Sequence, residues 1–404
     1  MIVLIKYHKN GKPQERHKNI LRCLARNKIA FISLCILTFF IASCTSKQTS
    51  PAQLFSLMDS TGITFRNDVK DSKEDNSFYF RNFYNGGGVS IGDINNDGLP
   101  DVMLTSNQGE NKLYLNKGNF IFEDISKKAG LVQDSMWSTG VTMVDINGDG
   151  WLDIYVCNSG HIKDGNRKNK LYINHHDNTF TEEAAKFGLD ISGYCTQASF
   201  FDYDGDGDLD CFIINNSPIP FSSLNYAGMR DVNIASWNVD EKLKGGGNHL
   251  YKNENGHFRE VTAEAGLHTG LISFGLGVSV GDVNGDGYPD IYVGNDFIEK
   301  DYLYINQKNG TFKDELEERI QKISMSSMSS DLGDLNNDGK PEIFTTDMIP
   351  DNDYRLKTTG TFDNIDLYLS KQKAGLYHQY VRNCLQLNNG NGSFSEIEIG
   401  RAHV

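Results

Sequence analysis

Cysteine and proline are scarce in this chain of 404 residues, with seven and eight respectively. Three of the cysteines (Cys23, Cys35, Cys44) fall within the first 44 positions, which leaves Cys157, Cys195, Cys211 and Cys384 for everything after. Four are too few for a disulfide scaffold, and none sits at C-x-x-C or other zinc spacing. One disulfide is compatible with the sequence, which does not assign it. Catalytic signatures are missing too: there is no G-x-S-x-G, no H-E-x-x-H and no Cys/His constellation at informative spacing. The histidines His161, His175, His176, His249, His257, His268 and His378 are scattered. The longest apolar run, Ile29 to Ala42, covers 14 residues and falls short of the ~20 a membrane-spanning helix needs.

Basic charge is the remaining shortage. Beyond residue 43 the chain holds 31 Lys/Arg against 52 Asp/Glu, a net charge of −21. A phosphate backbone would be repelled, which argues against nucleic acid as a partner. A content of 38% hydrophobic residues with 40 glycines points to many turns rather than disorder.

The first 43 residues reverse this balance, with eight Lys/Arg and one acid, Glu15. A basic leader before a short apolar run suits a secretory signal. The run ends Ile41-Ala42-Ser43-Cys44, a small-small-Cys order that resembles a bacterial lipobox. Cys44 is then expected to be the lipidated first mature residue, followed by a tether over 44–60, and the protein an exported cell-envelope lipoprotein held to the membrane through that anchor. The alternative is an uncleaved anchor helix with an incidental cysteine.

Self-comparison finds five copies of one pattern: IGDINNDGLPDVMLTS (91–106), MVDINGDGWLDIYVCN (143–158), FFDYDGDGDLDCFIIN (200–215), VGDVNGDGYPDIYVGN (280–295) and LGDLNNDGKPEIFTTD (332–347). A second pattern follows each, from NKLYLNKGNFIFEDISKKAGL (111–131) to NCLQLNNGNGSFSEI (383–397). Segments such as VSIGDI and KLYIN alternate apolar with polar or small residues and flank turn-forming clusters, which predicts two hairpins per repeat. Four strands in about 50 residues match a propeller blade. The expected fold is therefore all-β: a β-propeller over 61–397 with about five four-stranded blades present. Two long excursions interrupt it, Asn216 to Gly247 and Asp347 to Asn383.

The acidic loops carry the chemistry. In Asp93-Ile94-Asn95-Asn96-Asp97-Gly98-Leu99-Pro100-Asp101, positions 1, 3 and 5 offer side-chain oxygens and Gly98 permits the turn. Leu99 offers its carbonyl, and Asp101 closes the shell. This is the first part of an EF-hand ligand scheme with its closing acid brought nearer. The other loops follow as Asp145, Asn147, Asp149, Trp151 carbonyl, Asp153; Asp202, Asp204, Asp206, Asp208 carbonyl, Asp210; Asp282, Asn284, Asp286, Tyr288 carbonyl, Asp290; and Asp334, Asn336, Asp338, Lys340 carbonyl, Glu342. Oxygen-only, flexible ligation suits Ca²⁺ better than Mg²⁺, and the lack of His or Cys ligands disfavours zinc. The third loop is the most acidic. The fifth, closed by Glu342, is expected to be the weakest.

The five loops, the Phe274-Gly275-Leu276-Gly277 segment, the recurrent N-x-LY-x-N runs and the endings KKAGL, AKFGL and AEAGL resemble the FG-GAP/VCBS-repeat propellers. Within that family they look like the bacterial cartilage acidic protein-like type that ends in an ASPIC/UnbV domain. The resemblance implies a seven- or eight-bladed extracellular propeller, calcium for stability, a binding or adhesion role and no established catalysis. Five repeats fall short of that blade number, and EIGRAHV (398–404) matches a translation of a sequencing-adapter oligonucleotide. A truncated chain with a non-native tail is thus expected; a natural short tail is the alternative.

The leading functional expectation is a calcium-binding extracellular module that recognises a glycan or a protein. Tyr226, Arg230 and Trp237 of the first excursion are candidate ligand contacts, because aromatic rings beside polar groups suit sugar stacking or a protein hot spot. The alternatives are a polysaccharide-active enzyme, since propellers host such enzymes, and a purely structural domain serving a C-terminal partner domain.

Overall fold

The computed structural model describes residues 55–131, 136–160, 166–218, 230, 238, 244–270, 272–350, 352–359 and 365–397. The chain divides into two units, Met1–Asp59 and Ser60–Val404. In the first, only 55–59 are described, and they hold no helix or strand. The signal segment, Cys44 and the 398–404 tail lie outside the described residues.

In the second unit the alternating segments become strands in the expected order. Blade 1 comprises β1 (Val89–Gly92), β2 (Asp101–Leu104), β3 (Lys112–Asn116) and β4 (Phe122–Asp124). Blade 2 comprises β5 (Trp137–Val144), β6 (Asp153–Ser159), β7 (Lys170–Asn174) and β8 (Phe180–Glu182). Blade 3 is β9 (Cys195–Phe201), β10 (Asp210–Asn215), β11 (His249–Asn253) and β12 (Phe258–Glu260). Blade 4 is β13 (Gly275–Gly281), β14 (Asp290–Asn295), β15 (Tyr302–Asn306) and β16 (Phe312–Asp314). After β17 (Ile323–Ser324), blade 5 is built from β18 (Ser329–Gly333), β19 (Glu342–Thr346), β21 (Cys384–Asn388) and β22 (Phe394–Glu396). A short β20 (Gln379–Tyr380) pairs in parallel with β17. Each four-stranded sheet is an antiparallel meander, and the first hairpin closes alike in all five. Gly92 pairs with Asp101, Val144 with Asp153, Phe201 with Asp210, Gly281 with Asp290 and Gly333 with Glu342. Every acidic loop therefore hangs from the same two ladder positions.

The core lies between blades rather than within them. Successive strand side chains point to opposite faces, so the Leu-Tyr pair in each third strand divides its labour. Leu113, Leu171 and Leu250 face the following blade, while Tyr172, Tyr251 and Tyr304 face the preceding one. Leu113 and Tyr172 thus share the cluster between blades 1 and 2, Leu171 and Tyr251 the next, and Leu250 and Tyr304 the third. Leu303 lies in the fourth cluster with Ile343 and Phe394. Burying one such side chain contributes roughly 1.5–3 kcal/mol. Where blade 5 should present its tyrosine it has Gln386, buried and bonded to the Lys322 carbonyl at 2.9 Å.

First strands of adjacent blades approach closely around a common axis. A Cβ on Gly140 would stand 1.9 Å from Gln197 Oε1, and one on Gly277 would stand 2.5 Å from the Ser330 nitrogen. Threonine hydroxyls stitch this ring: Thr139 donates to the Cys195 carbonyl and Thr196 to the Gly275 carbonyl, both at 2.7 Å. At the two ends of the blade series the pattern differs. Val89 and Ile91 of β1 are 58% and 66% exposed, although the counterparts of Val89 (Val141 and Ala198) are buried and those of Ile91 (Met143 and Phe200) are half-buried. Leu335 is 64% exposed, although its counterparts Ile94, Ile146, Tyr203 and Val283 are buried.

Short helices depart from the strand-only expectation. In the AKFGL ending, α1 (Ala184–Phe187) stops at Gly188, whose φ of 77° suits glycine. Another one-turn helix, α2 (Leu316–Arg319), follows β16. The second excursion folds into α3 (Asp353–Thr359) and α4 (Ile365–Lys373).

Candidate metal centres and axial cavity

Four of the acidic loops share one hydrogen-bond scheme. The carboxylate at position 1 receives the N–H groups of positions 5 and 6: Asp97 and Gly98 donate to Asp93 at 3.1 and 2.7 Å, and Asp149 and Gly150 to Asp145 at 3.0 and 2.8 Å. Asp282 and Asp334 repeat the arrangement. In the third loop Asp202 instead receives the N–H groups of positions 4 and 6, from Gly205 at 2.7 Å and Gly207 at 3.0 Å. Position 6 is a glycine with φ between 83° and 95° in all five (Gly98, Gly150, Gly207, Gly287, Gly339), as the turn argument requires. Position 4 is also left-handed, at Asn96, Gly148, Gly205, Gly285 and Asn337. That second constraint was readable from the strict Asn/Gly choice there, since these residues adopt positive φ at least cost.

Position 9 is the buried pivot. Asp101, Asp153, Asp210 and Asp290 are fully buried and Glu342 nearly so. One oxygen accepts the position 2 N–H, as from Ile94 at 3.0 Å and Val283 at 3.0 Å. The other accepts the N–H of the asparagine that closes LY-x-N: Asn116, Asn174, Asn253 and Asn306, at 2.7–2.8 Å. Burial, and then the neighbouring loop acids, push Asp153 and Asp290 up to about 6 and Asp210 to about 7. A cation among these oxygens would reverse that pressure.

Position 3 distinguishes the loops. Asn95, Asn147 and Asn284 each donate their side-chain amide to the position 5 carboxylate at 3.0 Å. Asn336 reaches Glu342 instead, at 3.3 Å, so the fifth loop's longer closing acid is engaged from within. In the third loop Asp204 replaces the asparagine, and Lys252 bridges Asp204 and Asp206, the latter at 3.0 Å. Carboxylate oxygens of Asp202, Asp204 and Asp210 lie within 4.8 Å of one another. Asp204 Oδ1 is buried without a hydrogen-bond partner. Converging anionic oxygens with an orphaned acceptor suit a hard cation such as Ca²⁺. Elsewhere basic groups touch only the rim. His176, stacked on Trp151 at 4.6 Å, meets Asp149 at 3.1 Å; Lys308 meets Asp286 at 3.4 Å and Lys340 meets Asp338 at 3.7 Å.

Opposite the loops, at the other strand ends, an axial cavity of about 660 Å³ is lined by Gly86 to Gly88, Thr139, Thr196, Gln197, Gly277, Ser330 and neighbours. All five blades contribute, and among the described residues no lining residue is charged. A 3-10 turn, Arg81–Tyr84, lies at this end. Phe80 and Phe83 pack on Trp137 with ring centroids 5.4 and 5.1 Å apart, while the Arg81 guanidinium covers Phe297 at 4.7 Å. Buried polar atoms of Asn82 (Nδ2) and Ser159 (Oγ) have no hydrogen-bond partner here.

Both excursions leave from this same end, since each joins the second strand of its blade to the third. Of the expected ligand contacts, Tyr226 and Trp237 lie outside the described residues. Arg230 makes a two-pronged pair with buried Glu299, at 2.9 and 2.6 Å, and donates to the Gly375 carbonyl at 3.1 Å. Its guanidinium thereby ties the first excursion to blade 4 and to the second excursion. Within the second excursion, Tyr368 meets His378 at 2.8 Å and Tyr380 at 3.4 Å.

Meander sheets arranged around an axis, each hung from an acidic turn, define a β-propeller repeat protein. The chain belongs to the FG-GAP-like repeat family, whose pattern matches residues 57–156, 159–213, 224–293 and 282–345. It is 31% identical over 144 residues to cartilage acidic protein 1 of Mus musculus, covering 35% of this chain and 21% of that one. It is 27% identical over 121 residues to the Xenopus tropicalis protein of the same name, covering 30% and 19%. The chain thus spans about a fifth of the length of these relatives. Among solved structures it resembles an Agrocybe aegerita lectin that recognises non-reducing terminal N-acetylglucosamine. That likeness has a TM-score of 0.37 at 15% identity and covers 76% of this chain and 64% of that one.

Proposed function

We propose that this protein is a calcium-stabilised, non-catalytic binding module of the cell envelope, anchored through lipid on Cys44, which takes a neutral glycan or a protein segment at the axial end of the propeller. The division between the two ends carries the reading. Acidic loops, with Asp93, Asp145, Asp202, Asp282 and Asp334 at position 1, occupy one end and would hold Ca²⁺ there, fixing the first hairpin of every blade. At the other end lie the cavity, uncharged among its described residues, and the strand ends from which the two excursions leave. Flat glycine backbone, hydroxyls and amides beside Tyr84 and Phe80 suit an uncharged polar ligand. Among the described residues that line the cavity there is no pair of carboxylates of the kind that glycoside hydrolysis uses.

A glycan array with the full chain tests this, comparing wild type with Gln197→Ala and Tyr84→Ala. Selective binding that both substitutions weaken at least tenfold is the expected result. Uniformly blank arrays, or binding indifferent to both, would overturn the glycan reading. For the anchor, labelled fatty acid should enter wild type but not Cys44→Ala.

A further inference from the structure

We infer that Lys252 is a built-in counter-cation of the third acidic loop: it holds that loop closed without a divalent ion and makes it the weakest of the five calcium sites. The inference rests on the calcium reading above and reverses the ranking that counting acids suggests.

Internal comparison supplies the argument. The residue before the closing asparagine of LY-x-N is Leu115, Ile173, Ile305 and Leu387 in blades 1, 2, 4 and 5, and lysine only in blade 3. Likewise position 3 is Asn95, Asn147, Asn284 and Asn336 in four loops and an acid, Asp204, only in the third. The two exceptions meet: the Lys252 ammonium contacts Asp204 and lies 3.0 Å from Asp206. In loops 1, 2 and 4 the asparagine amide spans positions 3 and 5 at 3.0 Å. An aspartate has no amide to offer, and unaided it would set two carboxylates against each other. Lys252 restores the bridge by supplying donors and positive charge.

The same charge opposes an incoming cation. Asp202, Asp204, Asp206 and Asp210 bring four carboxylates where other loops bring three, and Lys252 cancels the surplus. Because its side chain is only 26% exposed, the ammonium is less screened than those of Lys308 and Lys340, which are nearly half exposed. Those two reach only position 5. Calcium can still enter beside the orphaned Asp204 Oδ1, but against an ammonium already bound to two of its ligands.

Equilibrium dialysis of the full chain against radioactive Ca²⁺ tests this, using wild type, Lys252→Met and Asp204→Asn/Lys252→Ile, which copies the other blades. Wild type should show one site at least tenfold weaker than the rest, and Lys252→Met should tighten it at least tenfold. The double variant should give five similar sites, and it substitutes for Lys252→Met if that variant fails to fold. Five indistinguishable sites in wild type, or a weaker third site in Lys252→Met, would overturn the inference and leave the calcium reading intact. No bound calcium at all would overturn that reading instead.

Discussion

The side-chain amide of Asn306 donates to the backbone carbonyl of Tyr203 at 2.7 Å, joining blade 4 to the acidic loop of blade 3. Asn174 does the same to Ile94 at 2.8 Å, and Asn388 to Val283 at 2.8 Å. Each of these asparagines also caps its own hairpin, as when Asn306 Oδ1 accepts the Lys308 N–H at 2.9 Å. One residue therefore fixes the hairpin turn and the inter-blade contact, while its own N–H holds the buried Asp290.

Asn306→Ala should cost about 2–4 kcal/mol, because it strands the buried Tyr203 carbonyl and the turn N–H together. Among the described residues Asn253 makes no bond to the preceding loop and reaches Leu209 only at 3.3 Å, so Asn253→Ala should cost less. Urea denaturation of both variants checks the order, and equal losses would assign the asparagine a purely local role.

How much of this was legible beforehand follows from which signals are periodic. The loops and hairpins recur in the same order in all five blades and the Leu-Tyr pair in four, so the copies reinforce one another. The closing asparagine was visible as part of N-x-LY-x-N, but its partner lies in another blade, 103 residues away for Asn306, and spacing cannot reveal such a contact. Arg230 and Glu299, 69 residues apart, and Lys252 and Asp204, 48 apart, stayed hidden for the same reason. Helices α3 and α4 were missed because α4 exposes Ile365, Leu367 and Leu369 and so lacks the one-sided apolar stripe that marks a packed helix.

Asp301 stands where the other blades have Asn111, Asn169, Asn248 and Asn383. It is fully buried and accepts from Tyr292 at 2.6 Å, from Ser327 at 2.8 Å and from the Asn295 N–H at 2.8 Å. Burial, with Asp347 nearby, pushes it up to about 7. The folded chain then keeps a proton that the unfolded chain has released above pH ~4, so stability falls as pH rises toward 7. The slope is at most about 1.4 kcal/mol per pH unit. Asp301→Asn should flatten that fall and melt higher than wild type at pH 8. Parallel profiles for the two proteins would show that Asp301 ionises without penalty.

Calcium removal should lower the melting temperature. A site held at 100 times its dissociation constant contributes about 2.7 kcal/mol through binding the native state alone. Asp145→Asn removes a position 1 carboxylate that the loop backbone also uses. It should therefore lower stability in calcium by more than it does in chelator. A melting curve indifferent to chelator, with no calcium by elemental analysis, would remove the metal from the account.

The exposed end faces predict association between copies. Ile91 on β1 and Leu335 in the fifth loop occupy the two complementary sides of the interface that recurs at each blade junction. The Leu335 carbonyl corresponds to those of Ile94, Tyr203 and Val283, which receive an asparagine from the next blade. A second copy can continue that contact, with its blade 1 on the first copy's blade 5. This is a head-to-tail interface whose two sides differ. Light scattering of wild type should show mass rising with concentration, and Leu335→Asp and Ile91→Asp should each remain monomeric. Each variant keeps one intact side, so mixing them should yield dimers and nothing larger. Monomers in the mixture, or undiminished association in either variant, would show that the copies meet through some other surface.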